Sequence, residues 1–412
     1  MTASPVSGSP LPASPGTATS GARIEAVGVG RDFGSVQALA GVDLAVEAGE
    51  IVALLGPSGS GKSTLLRILA GLDAPTSGDL LFDGGSQLGV PPHRRDVSMV
   101  FQHFALYPHL SATDNLVLAL RYGRGMSKAA ARERATETLR MLGIADLARR
   151  RPAQMSGGQR QRVAIGRALA TRARVVLLDE PMSGLDAKLR VELRVEIVGL
   201  LRQLGTTAVF VTHDQAEAMA VGDRVAVMNR GAIEQIGTPD EIYDLPATRF
   251  VATFVGSPPM NVFEGTWADG VLRGPGFSAP APAAAVAVGV RPEHLRLGGS
   301  AADASGAGLS SGGGAGAGAG AGQGHGVGAG TAAGVGAGGG FRVEGHVVVA
   351  ERLGAERTVY VRSAAGTLGV RVAAQVRVAP DEPVTVTAPA SALLCFGPDG
   401  RSLPIPAARQ PS

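Results

Sequence analysis

The stretch GPSGSGKST, Gly56 to Thr64, constrains the fold more than any other part of this sequence. It follows the apolar run EIVALLG at 50–56 and leads into a helical pattern at 62–71. A glycine-rich turn between a strand and a helix lets the backbone close around phosphate oxygens, while the helix end attracts the anion. The strand-loop-helix context gives the motif its meaning, since a glycine-rich turn by itself is only a turn. Lys62 adds a point charge for the β- and γ-phosphates, and Ser63 offers a hydroxyl oxygen of the kind Mg²⁺ takes. Gly56, Pro57, Ser58, Gly59, Ser60, Gly61, Lys62, Ser63 and Thr64 are thus the expected nucleotide-binding segment.

Such a loop needs a carboxylate for metal and water, and VVLLDEP at 175–181 supplies one. Its apolar run reads as a buried parallel strand. Asp179 emerges at the strand end to hold Mg²⁺ directly or through water. Glu180 follows, placed to orient or deprotonate an attacking water. Gln102 closes MVFQ and His213 closes VFVTH, and side chains at the carboxyl ends of strands face the ligand crevice of an open α/β sheet. Singly each is ordinary strand-end polarity. Beside the phosphate loop, Glu180, His213 and Gln102 form the candidate catalytic group.

Around these motifs the chain alternates strands and helices from about Arg23 to Thr238, the pattern of α/β architecture. Strands are predicted at 50–56, 97–102, 174–180, 207–213 and 224–231, and helices at 62–71, 127–142, 157–171, 186–204 and 214–221. From about Arg249 onward Pro, Gly and Val increase, and short strands such as HVVVAERLG and RTVYVRS follow turn signals. The expected organisation is a tail at 1–22, an α/β domain at 23–248 and a first β segment at 249–297. A Gly/Ala-rich flexible linker at 298–340, a second β segment at 341–405 and a tail at 406–412 complete it.

The formal charge of +3 is small for 412 residues, and arginine runs such as Arg149 to Arg151 are short and separated, so no nucleic-acid partner is expected. One cysteine, Cys395, cannot make an internal disulfide, which suits the cytoplasm. Residues 1–22 lack the basic start and apolar segment of a signal peptide. No run of about 18 residues is continuously apolar with helix-forming side chains.

The segment MSGGQRQRVAIGRALA at 155–170 sets Ser-Gly-Gly at a helix N-terminus, with no lysine to hold a phosphate. It reads either as an ordinary helix cap or as a second anion site, which is redundant unless it serves a nucleotide held by another copy. A helix end contributes about 0.3–1 kcal/mol toward an anion.

Together, the loop at 56–64, Gln102, MSGGQ at 155–159, VVLLDE at 175–180, SGLDAK at 183–188 and His213 resemble the nucleotide-binding subunits of ABC transporters, over residues from about 23 to 240. The resemblance implies an α/β P-loop NTPase fold, the ABC ATPase cassette, followed by a small all-β OB-like (TOBE) regulatory domain. It implies ATP and Mg²⁺ as ligands. It also implies a head-to-tail dimer, in which each nucleotide lies between the loop of one subunit and Ser156, Gly157, Gly158 and Gln159 of the other. On the same comparison Gln102 joins Ser63 and Asp179 around the metal and senses the membrane subunits. Asp186 makes a cross-dimer contact, and His213 is the γ-phosphate switch. Phe33, in RDFGSVQAL, stands where an aromatic ring stacks on adenine, a core Phe being the competing account. Met155 occupies a position usually held by Leu, a tolerable exchange of flexible apolar side chains.

Longer stretches, including MVFQHFALYPHLSATDNL at 99–116 and GSPPMN at 256–261, are similar to importer ATPases of the maltose and glycerol-3-phosphate type. Gly184 departs from the Asn usual in that subgroup. The resemblance implies an ATP-hydrolysing importer subunit for a carbohydrate or glycerol-3-phosphate. Polyamine, sulfate or ferric-iron importers are the alternative, and a non-transport ABC ATPase acting on nucleic acid is the rival class. The implied partners are a second copy, two transmembrane permease subunits and, indirectly, a periplasmic or extracellular solute-binding protein, at the cytoplasmic face of the membrane.

Overall fold

The structure, a computed structural model, describes residues 21–298 and 340–404. The chain divides into two compact units between Glu241 and Ile242. Residues 1–20 and 405–412, and nearly all of the linker expected at 298–340, lie outside the described residues. Of the expected N-terminal tail, Ala22 is buried and Gly21 donates its N–H to the Gly205 carbonyl at 2.8 Å.

In the first unit the strands are β1 (Ile24–Phe33), β2 (Val36–Val46), β3 (Ile51–Leu55), β4 (Ser77–Phe82), β5 (Gly85–Ser86), β6 (Val97–Val100), β7 (Val175–Asp179), β8 (Thr207–Thr212), β9 (Arg224–Asn229) and β10 (Ala232–Gly237). Its helices are α1 (Lys62–Leu69), α2 (Ala112–Arg124), α3 (Lys128–Met141), α4 (Gly157–Ala170), α5 (Ala187–Leu204) and α6 (Gln215–Val221), while α7 (Pro239–Asp244) runs across the division. Two sheets result. One is antiparallel, in the order β2-β1-β4-β5; the other has the order β10-β9-β3-β8-β7-β6, parallel from β9 to β6 with β10 as an antiparallel edge. β3 and β8 are buried along their whole length, as parallel strands covered on both faces must be. One core forms around Leu54, Leu66, Leu177 and Val209, another around Leu116, Val163, Leu178 and Phe210.

The five strands expected from apolar runs are β3, β6, β7, β8 and β9, and the expected helices correspond to α1, α3, α4, α5 and α6. Beyond these, the structure has β1, β2, β4, β5, β10 and α2, which no clean apolar run or helical period marks in the sequence. The first of these pairs through repeated register shifts, so its apolar alternation is broken and its buried residues do not fall every second position. In α2, Ser111 caps the helix by accepting from Asp114 N–H at 3.1 Å, and Leu116, Val117 and Leu120 face the core.

The second unit contains α8 (Arg249–Phe254) and the strands β11 (Asn261–Glu264), β12 (Thr266–Ala268), β13 (Val271–Gly274), β14 (Phe277–Pro280), β15 (Ala287–Val290), β16 (Arg296–Gly298), β17 (Phe341–Leu353), β18 (Glu356–Ser363), β19 (Gly366–Ala373), β20 (Pro383–Ala388), β21 (Leu393–Phe396) and β22 (Ser402–Leu403). All pairings are antiparallel. Strands from before and after 299–339 interleave: β14 pairs with β17, β15 with β21 and β16 with β20. Phe263, Phe277 and Phe341 cluster in its core with ring centroids 4.7–5.9 Å apart.

Candidate functional site

Four neighbouring parallel strands, β3, β8, β7 and β6, deliver the predicted residues to one edge of the sheet. Leu55 lies opposite Thr212, Asp179 opposite Val211 and Val100 opposite Leu178. The residues just beyond these ends, Gly56, His213, Glu180 and Gln102, therefore emerge together at the carboxyl ends of the strands, where open α/β sheets bind ligands.

The phosphate loop is shaped by its glycines. Gly59 and Gly61 have φ of +79° and +100°, conformations that L-residues avoid. A Cβ on Gly61 would lie 2.7 Å from the Ala38 carbonyl oxygen, whereas one on Gly59 would project into space clear for 4 Å. Lys62 is buried, and its Nζ donates to the carbonyls of Gly56 (2.8 Å) and Pro57 (2.9 Å) and to Ser60 Oγ (3.4 Å). Burial holds its pKa below the ordinary lysine value, while the charges of Glu180 and Asp179 act the other way. The N–H groups of the first helical turn of α1 have no partner within the helix by its geometry. A buried cation, an open glycine face and a helix N-terminus at one point fit a phosphate.

Beside it, Ser63 Oγ donates to Asp179 Oδ1 at 3.1 Å. Burial raises the Asp179 carboxyl above its usual pKa; the Ser63 bond opposes this and the neighbouring Glu180 charge adds to it. Two hard oxygens in contact suit Mg²⁺, which takes few protein ligands and completes its shell with water and phosphate. Among the described residues no group of three or more His, Cys, Asp or Glu is placed to hold a metal ion.

Glu180 stands at the centre. Gln102 Nε2 donates to its Oε2 at 3.0 Å, and His213 Nδ1 lies 3.1 Å from its Oε1. The backbone of Glu180 is left-handed, with φ +44°, and is held there by its N–H to Val211 O (3.0 Å) and by Ser183 N–H to its carbonyl (3.1 Å). A non-glycine residue kept in that region stores strain that the surrounding bonds must hold in place.

Other predicted residues stand apart from this group. Ser156 caps α4 reciprocally with Gln159: its Oγ accepts from Gln159 N–H at 3.3 Å, and its own N–H donates to Gln159 Oε1 at 3.0 Å. Gly157 and Gly158 open the helix, and a Cβ on Gly158 would meet Leu189 of α5 at 2.3 Å. Among the described residues no hydrogen bond or ion pair joins Ser156 or Gln159 to the phosphate loop. Asp186 caps α5 through Leu189 N–H at 2.9 Å. Phe33 is 48% exposed at the end of β1, with the Arg31 guanidinium 4.5 Å from its ring centroid, so the core account of this residue fails.

Sequence reasoning missed the side chains that hold these loops in place. Arg167 of α4 donates to the carbonyls of Phe104 and Ala105 in the loop after Gln102, two residues that themselves have positive φ. Arg190 of α5 reaches Asp214 Oδ2 at 3.0 Å and Glu217 Oε1 at 3.5 Å. The available signal was charge at fixed offsets from the motifs, Arg190 four residues beyond Asp186 and Asp214 immediately after His213.

Sheet order and site have the arrangement of a P-loop nucleotide-binding protein, with a glycine-rich loop between β3 and α1 and with Asp179, Glu180, Gln102 and His213 at the carboxyl ends of neighbouring strands. The ABC transporter family profile matches residues 39–183. The chain is 51% identical over 242 residues to the sn-glycerol-3-phosphate import ATP-binding protein UgpC 1 of Rhizobium johnstonii, a match covering 59% of this chain and 65% of that protein. It is 49% identical to the trehalose/maltose import ATP-binding protein MalK of Thermococcus litoralis, over 59% of this chain and 67% of that protein. The match to UgpC 3 of Rhizobium etli is 50% identical, over 62% of this chain and 74% of that protein. A solved post-hydrolysis dimer of an ATP-binding cassette bound to ADP and Pi aligns over 52% of this chain and 98% of its own, at 36% identity and a TM-score of 0.48. The chain belongs to the ABC transporter ATP-binding proteins, and its similarity within them is to the sn-glycerol-3-phosphate and trehalose/maltose importers. Among the described residues no helix is long and apolar enough to cross a membrane.

Proposed function

We propose that this chain hydrolyses ATP as the motor subunit of an importer for sn-glycerol-3-phosphate or a carbohydrate of the trehalose/maltose class. The observation that carries the reading is the Glu180 carboxylate, suspended between Gln102 and His213 and directly following Asp179, which contacts Ser63. That arrangement leaves Glu180 oriented as a general base for water, with His213 placed to hold it in position and to sense the terminal phosphate. Lys62 and the N-terminus of α1 stabilise negative charge on the transferring phosphoryl group, the largest contribution such sites make. Mg²⁺ held by Ser63, Asp179 and Gln102 would neutralise charge on the phosphate oxygens. Phe33, exposed at the end of β1 in the antiparallel sheet, offers a face for adenine.

Two copies working head to tail account for the second helix N-terminus: Ser156, Gly157, Gly158 and Gln159 of one copy would close on nucleotide held by the other, with Asp186 as a cross-dimer contact. The wider assembly follows the relatives' importer role: two permease subunits, a solute-binding protein reached through them, and a place at the cytoplasmic face of the membrane. The α/β domain at 23–248 would be the motor, and the β segments at 249–297 and 341–405 its regulatory domain.

Glu180→Gln tests the reading. Nucleotide binding is expected to survive, while turnover falls by at least about a hundredfold, the scale of a lost general base. ATP and Mg²⁺ should then accumulate a dimer on size-exclusion chromatography. Turnover unchanged in this variant would remove Glu180 from the chemistry.

A further inference from the structure

Two loops of the site come from distant parts of the chain, and a single cation ties them together. The loop from Glu180 leads through Ser183 and Leu185 to Asp186, the cap of α5. The other loop carries His213 between Thr212, the last residue of β8, and Asp214, the cap of α6. Arg190 lies in the first turns of α5. Its Nη2 donates to the Leu185 carbonyl at 3.1 Å, immediately before Asp186. Its Nη1 donates to Asp214 Oδ2 at 3.0 Å, immediately after His213.

The network continues on the other side of the histidine. Arg190 Nε lies 3.5 Å from Glu217 Oε1, and Glu217 Oε2 accepts from Thr212 Oγ1 at 2.7 Å. Thr212 Oγ1 in turn accepts from Asp214 N–H at 3.0 Å. Asp214 Oδ1 accepts from the N–H groups of Ala216 and Glu217, so this carboxylate is fixed from both directions. Both residues flanking His213 are therefore held in one polar cluster, in which Arg190 is the guanidinium paired with the Asp214 and Glu217 carboxylates, while Glu217 is 5% exposed. A buried carboxylate without its cation is costly, and the planar guanidinium holds the Leu185 carbonyl and Asp214 by hydrogen bonds while its Nε edge faces Glu217 as an ion pair without one.

We propose that Arg190 is a positioning residue: by joining Asp214 and Glu217 to the loop of Asp186, it sets His213 against Glu180 and couples movement of one loop to the other. The proposal rests on the hydrolysis reading for its effect on turnover, and on geometry alone for its effect on the histidine ring. A residue that merely stabilised the fold would change the melting temperature and leave each folded molecule fully active.

The test compares Arg190→Gln, Arg190→Lys and the double variant Arg190→Gln/Glu217→Gln in the full chain. The double variant removes the uncompensated buried charge and guards against simple misfolding. In both variants that carry Arg190→Gln, kcat for ATP is expected to fall about ten- to a hundredfold, the scale of misplacing a reacting group by an ångström. KM should stay within about twofold, because the phosphate loop is untouched. Arg190→Lys should recover activity only in part, since an ammonium cannot reproduce the fork. Histidine-selective ¹⁵N labelling reads the ring directly, and the His213 signal should shift in Arg190→Gln. An unshifted His213 signal with kcat unchanged in the double variant overturns the positioning role. A wild-type chain without ATP turnover would instead overturn the hydrolysis reading, and the His213 signal would still decide the positioning.

Discussion

Gly59 and Gly61 occupy similar places in the motif yet face different surroundings, and this separates what the loop needs for folding from what it needs for a ligand. At Gly61 the φ of +100° and the nearby Ala38 carbonyl leave no room for a side chain. Gly61→Ala should lower stability by about 3 kcal/mol, combining backbone strain with a steric clash. At Gly59 the same methyl meets nothing within 4 Å and incurs the strain of positive φ alone, about 1 kcal/mol. A phosphate held by this loop is expected in that open space, so the methyl should compete with it. Thermal denaturation should therefore rank Gly61→Ala as the less stable variant. Titration with a fluorescent nucleotide should show that Gly59→Ala has lost affinity while remaining folded; retained affinity in that variant would place the ligand elsewhere. Asp179, Glu180, Gln102 and His213 were legible in the sequence because each sits at the end of an apolar run, where strand and loop can be told apart by composition, and Lys62 because a glycine-rich loop leads from such a run into its helix. Arg190 and Arg167 were not, because their partners lie in other segments and only the folded sheet brings them within reach.

Capping chemistry gives α4 a double character. Ser156 closes the helix with Gln159, so its hydroxyl has a structural task within its own chain whatever it does for a second copy. The two tasks respond differently to substitution. Ser156→Ala should cost about 1 kcal/mol of stability, whereas glycine, itself an acceptable N-cap, should cost only a few tenths. If the hydroxyl also meets a nucleotide held by another copy, both variants lose ATP-dependent dimerisation equally despite their unequal stabilities. Analytical ultracentrifugation with ATP, in a background that cannot hydrolyse it, separates the cases: dimerisation that tracks stability would assign Ser156 to the cap alone. Elements were read well where periodicity was clean, as in β7, β8 and α5. They were missed where another signal was needed. For α2 that signal is the capping serine, Ser111, three residues before Asp114. Gly28 and the register shifts of β1 break the alternation that marks a strand, so long-range pairing rather than local pattern specifies it.

At the scale of the whole molecule, the second unit draws its strands from both sides of residues 299–339, and this determines what the intervening chain must span. β16 and β17 both pair with β20: Gly298 lies opposite Thr385, and Phe341 opposite Ala388. The two ends are thus about 10 Å apart across the sheet, from two strand spacings, and about 10 Å along it. Without 312–336, residues 299–311 and 337–339 would still reach ~50 Å when extended at about 3.3 Å per residue. Closing a shorter loop is slightly less unfavourable, by about 0.6 kcal/mol per halving. Deletion of 312–336 should therefore leave the unit folded through the β14–β17, β15–β21 and β16–β20 pairings, with its thermal transition unchanged or slightly raised. ATP turnover should be unaffected, because the residues assigned to it all precede the division at Glu241. Loss of the transition in this variant would mean that the deleted residues contribute structure of their own to the unit, and that the pairings across 299–339 are not sufficient to hold it.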